Sequence, residues 1–206
     1  QVRRVDADPG RREPRSMEEL RRLQAAAEAR RLGLLKDKVE LLLASDERLK
    51  DYRSQIHLDM TRDGLRIQIV DDRQRPMFDT GSARVKPYMR DVLQAIGTVL
   101  AEVPNKLTLE GHTDATAYSG GVRGYSNWEL SADRANASRR ELLTGGLEDE
   151  KVLRVQGLAA SMPFDADDPV AAVNRRISII VMNREAEQRL LNLRGATQVA
   201  AAPQTH

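Results

Sequence analysis

The spacing of apolar residues changes along the chain, and this change limits the folds available to it. Around the dipeptide Asp63-Gly64, apolar and polar residues alternate, which predicts a β-hairpin with a tight turn. The segments on either side carry apolar residues at helical spacing instead. The alternating positions are Ile56, Leu58, Met60, Leu65, Ile67 and Ile69. A sheet with helices packed against it is therefore expected.

A long helix is predicted ahead of the hairpin. Ser16 and Glu19 have the spacing of a capping box, and an apolar stripe runs from Leu32 to Leu49. Two interpretations stay open, since the stripe can lie on its own domain or also pair with a second copy of the chain. We assign residues 16–54 to this long amphipathic linker helix and the polar residues 1–15 to a disordered linker.

The rest of the chain predicts a sheet of mixed direction. Helices are expected over residues 82–102 and 131–144, with strands over 107–110, 152–158 and 177–182. The fold class is thus α/β (α+β), a two-layer sandwich with a mixed β-sheet and helices packed on one side, preceded by the long N-terminal helix. We place this domain at residues 55–183, followed by a C-terminal helix at 184–194 and a disordered tail at 195–206.

Composition excludes several classes of function. The net charge is only +2, from 33 basic and 31 acidic residues, so no basic face indicates a nucleic-acid partner. One Trp, two Phe and four Tyr are too few for base-stacking platforms. The absence of Cys excludes disulfides, thiol catalysis and Cys-ligated zinc.

No apolar run approaches the roughly 20 residues needed to span a bilayer, and no signal-peptide pattern opens the chain. A sequence that begins with Gln1 is expected to be part of a longer protein whose membrane segment or export signal lies outside it.

The best candidate for a ligand site begins where the strand at residues 107–110 ends, because strand ends carry groups that face ligands. Asp114 is the first candidate, since a carboxylate there attracts an ammonium group. Ser131 is expected to cap the next helix, which would place Arg134 in its first turn to bind a carboxylate or phosphate. The pair suits a zwitterion. The alternative is a direct Asp114–Arg134 salt bridge that holds the loop in place.

Other polar residues are weaker candidates. Arg175 and Arg176, just before the last strand, could lie near the same pocket or simply be solvated. His112 lacks matching ligand spacings, so no metal or cofactor is predicted. No nucleophile elbow, HExxH pattern or credible acid pair is present, and we expect no enzymatic activity.

Four ordered blocks of residues resemble the OmpA-like C-terminal domains, and the resemblance covers roughly residues 55–183. The family pattern is a strand ending in GHTD, then N-x-x-L-S-x-x-R-A, a later Gly, and N-R-R at the last strand. The blocks here are Gly111 to Asp114, Asn127 to Ala135, Gly157 and Asn174 to Arg176. Within the family, Arg75 to Phe78, Gly124 to Leu142 and Lys151 to Val155 are similar to the branch found in flagellar motor stators.

The resemblance implies specific binding residues. Asp114 and Arg134 would grip the ammonium and carboxylate of diaminopimelate in the peptide stem of peptidoglycan, and family contacts also map onto Thr113, Asn127 and Arg175. Two departures affect the pose. Gly81 stands where the family often has Asn, and the loop between Asp114 and Asn127 is longer than in many members, which adds the glycan as a potential contact.

The resemblance further implies a wall anchor for the flagellar motor stator. The expected protein is a dimeric, single-pass inner-membrane protein with this domain in the periplasm, partnered through its absent transmembrane part with the ion-channel subunit. The alternatives are another OmpA-like wall anchor, such as a lipoprotein or secretion-system component, and a peptidoglycan hydrolase.

Overall fold

Helix α1 spans Met17–Ser45 and begins as the sequence predicts, with the Ser16 side chain accepting a hydrogen bond from the Glu19 amide at 3.1 Å. The computed structural model describes residues 16–119 and 123–200, with side chains up to residue 193, so the predicted linker 1–15 and the tail beyond residue 200 lie outside it. The helix is shorter than the predicted 16–54. Asp46 is extended and its carboxylate binds the Arg48 amide, so the chain turns and forms a 3-10 helix at Lys50–Gln55.

The apolar stripe of α1 packs on the chain's own domain. Its buried residues join the main core beside the first two strands and the next helix, as in the first of the two interpretations above. The first half of the helix is mostly exposed, and contact with a second copy stays a prediction. The buried positions are Leu32, Leu35, Val39 and Leu43, with Leu49 just beyond the helix.

The sheet has five strands in the order β1-β2-β5-β3-β4. Only β3 and β4 are parallel; the other neighbours are antiparallel, so the sheet is mixed as predicted. The strands are β1 (Ile56–Thr61), β2 (Gly64–Val70), β3 (Leu107–His112), β4 (Val152–Gly157) and β5 (Arg176–Met182).

Helices α2 (Pro87–Ala101) and α3 (Asn127–Thr144) pack on the apolar face of the sheet, together with α1. Pro87 is the first residue of α2, as its missing amide hydrogen and fixed φ favour, so the helix starts later than the predicted residue 82. Leu65, Ile67 and Ile69 alternate toward this layer and are almost fully buried. The remaining helix, α4 (Arg184–Ala200), follows β5 and extends past the predicted residue 194.

The opposite face of the sheet is polar. Gln68 of β2 accepts hydrogen bonds from Arg176 at 3.0 Å and from Ser178 at 3.4 Å, and both donors are buried on β5.

Among the helices of the described residues, none combines the length and the apolar character that a membrane-spanning segment needs.

Candidate ligand-binding site

The strand order brings three distant polar segments to one edge of the sheet. Strand β5 is antiparallel to both β2 and β3, so its first residue lies beside the last residues of those strands: Arg176 is in register with Val70 on one side and His112 on the other. Asp71 follows β2, Thr113 and Asp114 follow β3, and Arg175 precedes β5. The sheet therefore gathers two carboxylates and a guanidinium at one place.

Arg175 connects the two carboxylates, and we call these three residues the carboxylate end of the site. Its Nε donates to Asp71 Oδ2 at 2.7 Å and its Nη1 donates to Asp114 Oδ2 at 2.7 Å. The remaining oxygens accept backbone amides, Asp71 Oδ1 from Met77 at 2.6 Å and Asp114 Oδ1 from Thr116 at 2.9 Å. Hydrogen bonds to both oxygens thus fix the orientation of each carboxylate.

The two carboxyl groups titrate in opposite directions. Burial raises the pKa of Asp71, and hydrogen bonds from Arg175 and Met77 only partly offset it. Burial also acts to raise the pKa of Asp114, but hydrogen bonds from Arg175 and Thr116 outweigh it and hold that pKa below its ordinary value. Asp114 therefore stays ionised to a lower pH than Asp71 does.

Arg134 does not lie in the first turn of its helix, and that prediction was wrong. Helix α3 begins at Asn127, because Ser126 and Glu129 form a capping box in which each side chain binds the other's backbone. Ser131, the predicted cap, lies inside the helix and donates to the Trp128 carbonyl at 3.0 Å. Arg134 thus lies beyond the second turn, and the first-turn amides do not contribute to its site.

Arg134 is held by backbone carbonyls and a ring, which together form the arginine end of the site. Its Nε donates to the Ser82 carbonyl at 2.9 Å and its Nη2 to the Asp79 carbonyl at 3.4 Å. The guanidinium carbon lies 4.9 Å from the centre of the Phe78 ring, a cation–π contact. Among the described residues, none places a carboxylate within 4.0 Å of this guanidinium, so the alternative of an Asp114–Arg134 salt bridge is not formed.

Burial lowers the pKa of Arg134, because a desolvated guanidinium without a contacting counter-ion is unfavourable. Among the charged groups, Asp71 acts most strongly to raise the pKa of Arg134, and Asp114 raises it less. A bound carboxylate would add the missing partner for this charge.

Two glycines let α3 approach the sheet closely enough to bring Arg134 to the site. A Cβ on Gly111 would lie 1.9 Å from the Ser131 carbonyl oxygen, and one on Gly157 would lie 2.5 Å from Ser131 Oγ. Ser131 is fully buried at this contact and accepts a hydrogen bond from the Ala159 amide at 3.0 Å. Glycine at positions 111 and 157 is thus required by the close packing against Ser131.

The structure places Thr113 and Asn127 beside these residues in the chain, but gives them different roles. Thr113 Oγ1 is buried and has no hydrogen-bond partner among residues 16–119 and 123–193, while the Thr113 amide donates to the Ala159 carbonyl at 2.9 Å. Asn127 donates from Nδ2 to the Thr116 carbonyl at 2.8 Å, which ties the start of α3 to the loop after Asp114. Asn127 thus positions that loop.

An open aromatic cleft of about 420 Å³ lies between the loop after Asp114 and residues 159–161. Tyr118 and Tyr125 form a tilted ring pair with centres 5.1 Å apart, and Trp128 is 55% exposed. Tyr118 also donates to the Gly81 carbonyl at 3.3 Å, and Gly81 has a φ of +62°, in the left-handed region that glycine adopts without strain. The cleft lining is Ala117, Tyr118, Tyr125, Ser126, Asn127, Trp128, Ala159, Ala160 and Ser161.

His112 faces the polar side of the sheet, away from Arg134. Its nearest acidic neighbour is Glu110, with Nε2 3.8 Å from the carboxylate. Within the part of the chain that the structure describes, no group of three or more His, Cys, Asp or Glu side chains could hold a metal ion. Arg176 likewise points to this face, where burial lowers its pKa to about 10, and it does not join the site.

Asp71 is the site residue that the sequence analysis missed. The signal was present, because Asp71 directly follows the predicted hairpin strand, as Asp114 follows its own strand. As a carboxylate at a strand end, Asp71 is a candidate on the same grounds as Asp114.

The fold and the site together define an OmpA-like domain. Residues 77–176 match the OmpA family, and all five residues predicted to bind ligand lie within that range. The five-stranded sheet with its helices also superposes on a MotB-like protein from Desulfovibrio vulgaris with a TM-score of 0.65, at 20% identity, covering 80% of this chain and 99% of that one.

Among relatives, the chain is 52% identical over 176 residues to Motility protein B of Escherichia coli strain K12, covering 85% of this chain and 57% of that protein. The chain thus spans just over half the length of this relative. The cell wall anchor of the type VI secretion system from Pseudomonas aeruginosa has a TM-score of 0.54 at 25% identity, covering 69% of this chain and 97% of that one. These similarities agree with the prediction that the chain is not an enzyme.

Proposed function

We propose that this domain binds the peptide stem of peptidoglycan noncovalently and thereby anchors a flagellar motor stator to the cell wall. In this proposal Arg134 binds the carboxylate of diaminopimelate and Asp114 binds its ammonium group. Thr113, Asn127 and Arg175 complete the contacts. The similarity to Motility protein B and the match to the OmpA family support this assignment.

The observation that carries the proposal is the state of Arg134. Only 8% of the Arg134 residue is exposed. Its guanidinium donates to the Ser82 and Asp79 carbonyls and lies against the Phe78 ring, and among the described residues no carboxylate forms an ion pair with it. A buried cation without a carboxylate partner is costly unless an anion binds there. Arginine forms bidentate hydrogen bonds with carboxylates, so the free carboxylate of an amino acid fits this position.

The carboxylate end supplies the complementary charge. Asp114 keeps a lowered pKa and therefore stays ionised at neutral pH, and each of its oxygens can accept a further hydrogen bond beyond the one it already has. Thr113 adjoins Asp114, and its buried hydroxyl has no hydrogen-bond partner among the described residues, so it is available to a ligand. A ligand with both an ammonium and a carboxylate uses both ends.

The aromatic cleft supports an added contact with the glycan. Exposed Tyr and Trp rings give an apolar surface with polar edges, which suits the faces of a sugar ring. Trp128 and Tyr125 lie on and just before α3, so a glycan strand in the cleft would be close to the stem peptide at Asp114. The longer loop would then add glycan binding to stem-peptide binding.

At the level of the whole protein, the proposal is that this domain is the periplasmic part of a single-pass inner-membrane protein. Its partners would be a second copy of itself and the motility protein A channel subunit, which it would contact through a transmembrane segment outside the present chain. Helix α1 would link that segment to the domain, and binding to the wall would hold the stator against the torque of the rotor. Two linked domains would strengthen the attachment.

Co-sedimentation with purified sacculi tests the binding step. We expect the wild type to pellet with sacculi, whereas Arg134→Gln and Asp114→Asn bind at least about tenfold more weakly, because each removes one charge from the ligand site. Arg140→Gln, on the exposed side of the same helix, and Asp72→Asn, exposed beside Asp71, are the matched controls. Thermal unfolding of each variant would show that the fold persists. A wild type that stays in solution, or controls that lose binding equally, would reject the proposal.

A second candidate is anchoring of a different envelope assembly, which the similarity to a secretion-system wall anchor favours. The two functions differ in cells. Arg134→Gln in the full-length protein should abolish swimming if the stator role is correct, while retained swimming with lost wall binding would favour the other assembly.

A further inference from the structure

Asp71 lies at the centre of the site but outside residues 77–176, the segment that matches the OmpA family. It is 7% exposed, and its carboxylate contacts Arg175 Nε at 2.7 Å. Its amide also donates to the Arg175 carbonyl at 2.8 Å, which continues the pairing of β2 with β5. Backbone and side chain therefore both hold Asp71 against Arg175.

Asp71 acts on both arginines of the site. It accepts a hydrogen bond from Arg175, and among the charged groups it acts most strongly to raise the pKa of Arg134 against the effect of burial. Asp114, in contrast, contacts Arg175 and influences Arg134 less. With Asp71 ionised, the four charged residues Asp71, Asp114, Arg134 and Arg175 sum to zero.

We propose that Asp71 is the internal counter-ion of the site and a specificity-determining residue, which lets the site prefer a zwitterionic ligand over an anionic one. This inference rests on the proposed function. Because Asp71 neutralises Arg175, the negative charge of Asp114 remains available to an ammonium group. Without Asp71, Arg175 would be neutralised by Asp114 alone, and the site would carry a net positive charge that repels the ammonium and favours a carboxylate-only ligand.

The variant Asp71→Asn isolates the charge. The asparagine side-chain oxygen can still accept the Met77 amide that Asp71 Oδ1 binds at 2.6 Å, so the loop after β2 keeps its support. Asp72→Asn is the matched control, since Asp72 is the exposed neighbour and its Oδ1 likewise accepts a backbone amide, that of Gln74 at 2.8 Å. Both variants lose one negative charge, and only the first loses it inside the site.

The test is calorimetric binding of two soluble stem tripeptides ending in diaminopimelate, one with its side-chain amine free and one with that amine acetylated. The wild type should prefer the free amine. In Asp71→Asn the affinity for the free amine should fall about tenfold, as expected for one charge acting over roughly 10 Å at the effective dielectric of a protein, while the acetylated ligand binds as well or better. Asp72→Asn should behave as the wild type.

A charge-balanced double variant, Asp71→Asn with Arg175→Gln, gives a second arm that does not depend on the stability of the single variant. It returns the site to zero net charge and removes the cation that would otherwise neutralise Asp114. Because Arg175 is itself proposed to contact the ligand, both affinities should be lower than in the wild type, but the ratio that favours the free amine should reappear. A purely positional role for Asp71 predicts otherwise, with equal loss of both ligands in the single variant and no recovery in the double variant, and that result would overturn the inference. A wild type that binds neither ligand would overturn the proposed function as well.

Discussion

Asp114 and Arg134 are buried to the same extent, with 8% of each residue exposed, yet their charges have different partners. Asp114 is paired with Arg175 and a backbone amide, so its charge is already stabilised. Arg134, within the part of the chain that the structure describes, donates to two backbone carbonyls, lies against the Phe78 ring and has no carboxylate partner. The charges of the carboxylate end are thus paired within the protein, and the charge of the arginine end is not. If the proposed function is correct, most of the free energy gained on ligand binding should come from the arginine end.

The largest effect should come from Gly111→Ala, which breaks both ends together. The new Cβ would lie 1.9 Å from the Ser131 carbonyl oxygen, so β3, which carries Asp114, and α3, which carries Arg134, must separate. We expect a loss of roughly 3 kcal/mol of unfolding free energy, measured by urea denaturation, together with loss of wall binding. Gly33→Ala is the control, because nothing lies within 4 Å of its Cβ position and alanine favours a helix. A Gly111→Ala protein as stable as the wild type would contradict the close packing.

Arg175→Gln should break the carboxylate end alone. It leaves Asp71 and Asp114 without their shared cation, and since 28% of the Arg175 side chain is exposed, we expect a loss of about 2 kcal/mol at neutral pH. Arg189→Gln, which removes more exposed ion pairs, should cost less than about 0.5 kcal/mol in the same assay.

The effect of Arg175→Gln should also depend on pH. Burial acts to raise the pKa of Asp114, but Arg175 and Thr116 lower it below the ordinary 3.8. A lowered folded-state pKa gives stability that is present above the unfolded pKa and is lost as the pH falls through the folded one. The gap between wild type and variant in urea denaturation should therefore narrow below about pH 4. A gap that stays constant into acid would argue against this pairing.

Phe78→Leu should weaken the arginine end. Phe78 is 6% exposed and its ring lies against the Arg134 guanidinium, so the change removes both packing and the cation–π contact. We expect a loss of roughly 1.5 kcal/mol in thermal or chemical unfolding. Phe164→Leu is the comparison, because Phe164 is 45% exposed and its contact with Arg176 is longer, at 5.9 Å. Equal losses in the two variants would show that the Arg134 contact adds nothing.

Ser126→Ala should have the smallest effect and should be local. It removes the side chain that caps α3 and costs about 1 kcal/mol. Amide hydrogen exchange should become faster at Trp128 and Glu129, in the first turn, and change little at Arg134. Ser54→Ala, at an exposed position, is the control. Faster exchange along the whole helix would mean that the cap supports Arg134 directly.

Local patterns predicted the regular elements well. The hairpin, the two helices on the sheet and the end of α3 at Gly145 follow from periodicity and from terminal signals that act over a few residues. The start of α3 was placed wrongly because two serines could cap it. Ser126 is followed three residues later by Glu129, which is the spacing of a capping box, whereas Ser131 is followed at that spacing by Arg134. The sequence alone therefore favoured Ser126 as the cap.

Pairing within the site could not be predicted in this way. Arg175 contacts Asp114 across 61 positions and Asp71 across 104, and these contacts exist because β5 lies between β2 and β3. Neither the spacing of residues along the sequence nor their types indicates that order of strands. For the same reason the salt bridge considered from the sequence, Asp114 with Arg134, joined the wrong arginine.

The amino-acid sequence by itself determined the element types, the apolar face of the sheet, and the residue types available at its strand ends, because these depend on interactions between near neighbours in the chain. The tertiary structure alone decided which charges are paired. It placed Asp71 and Asp114 on either side of Arg175 and left Arg134 among backbone carbonyls, since burial and the order of the strands set the distances between residues far apart in sequence.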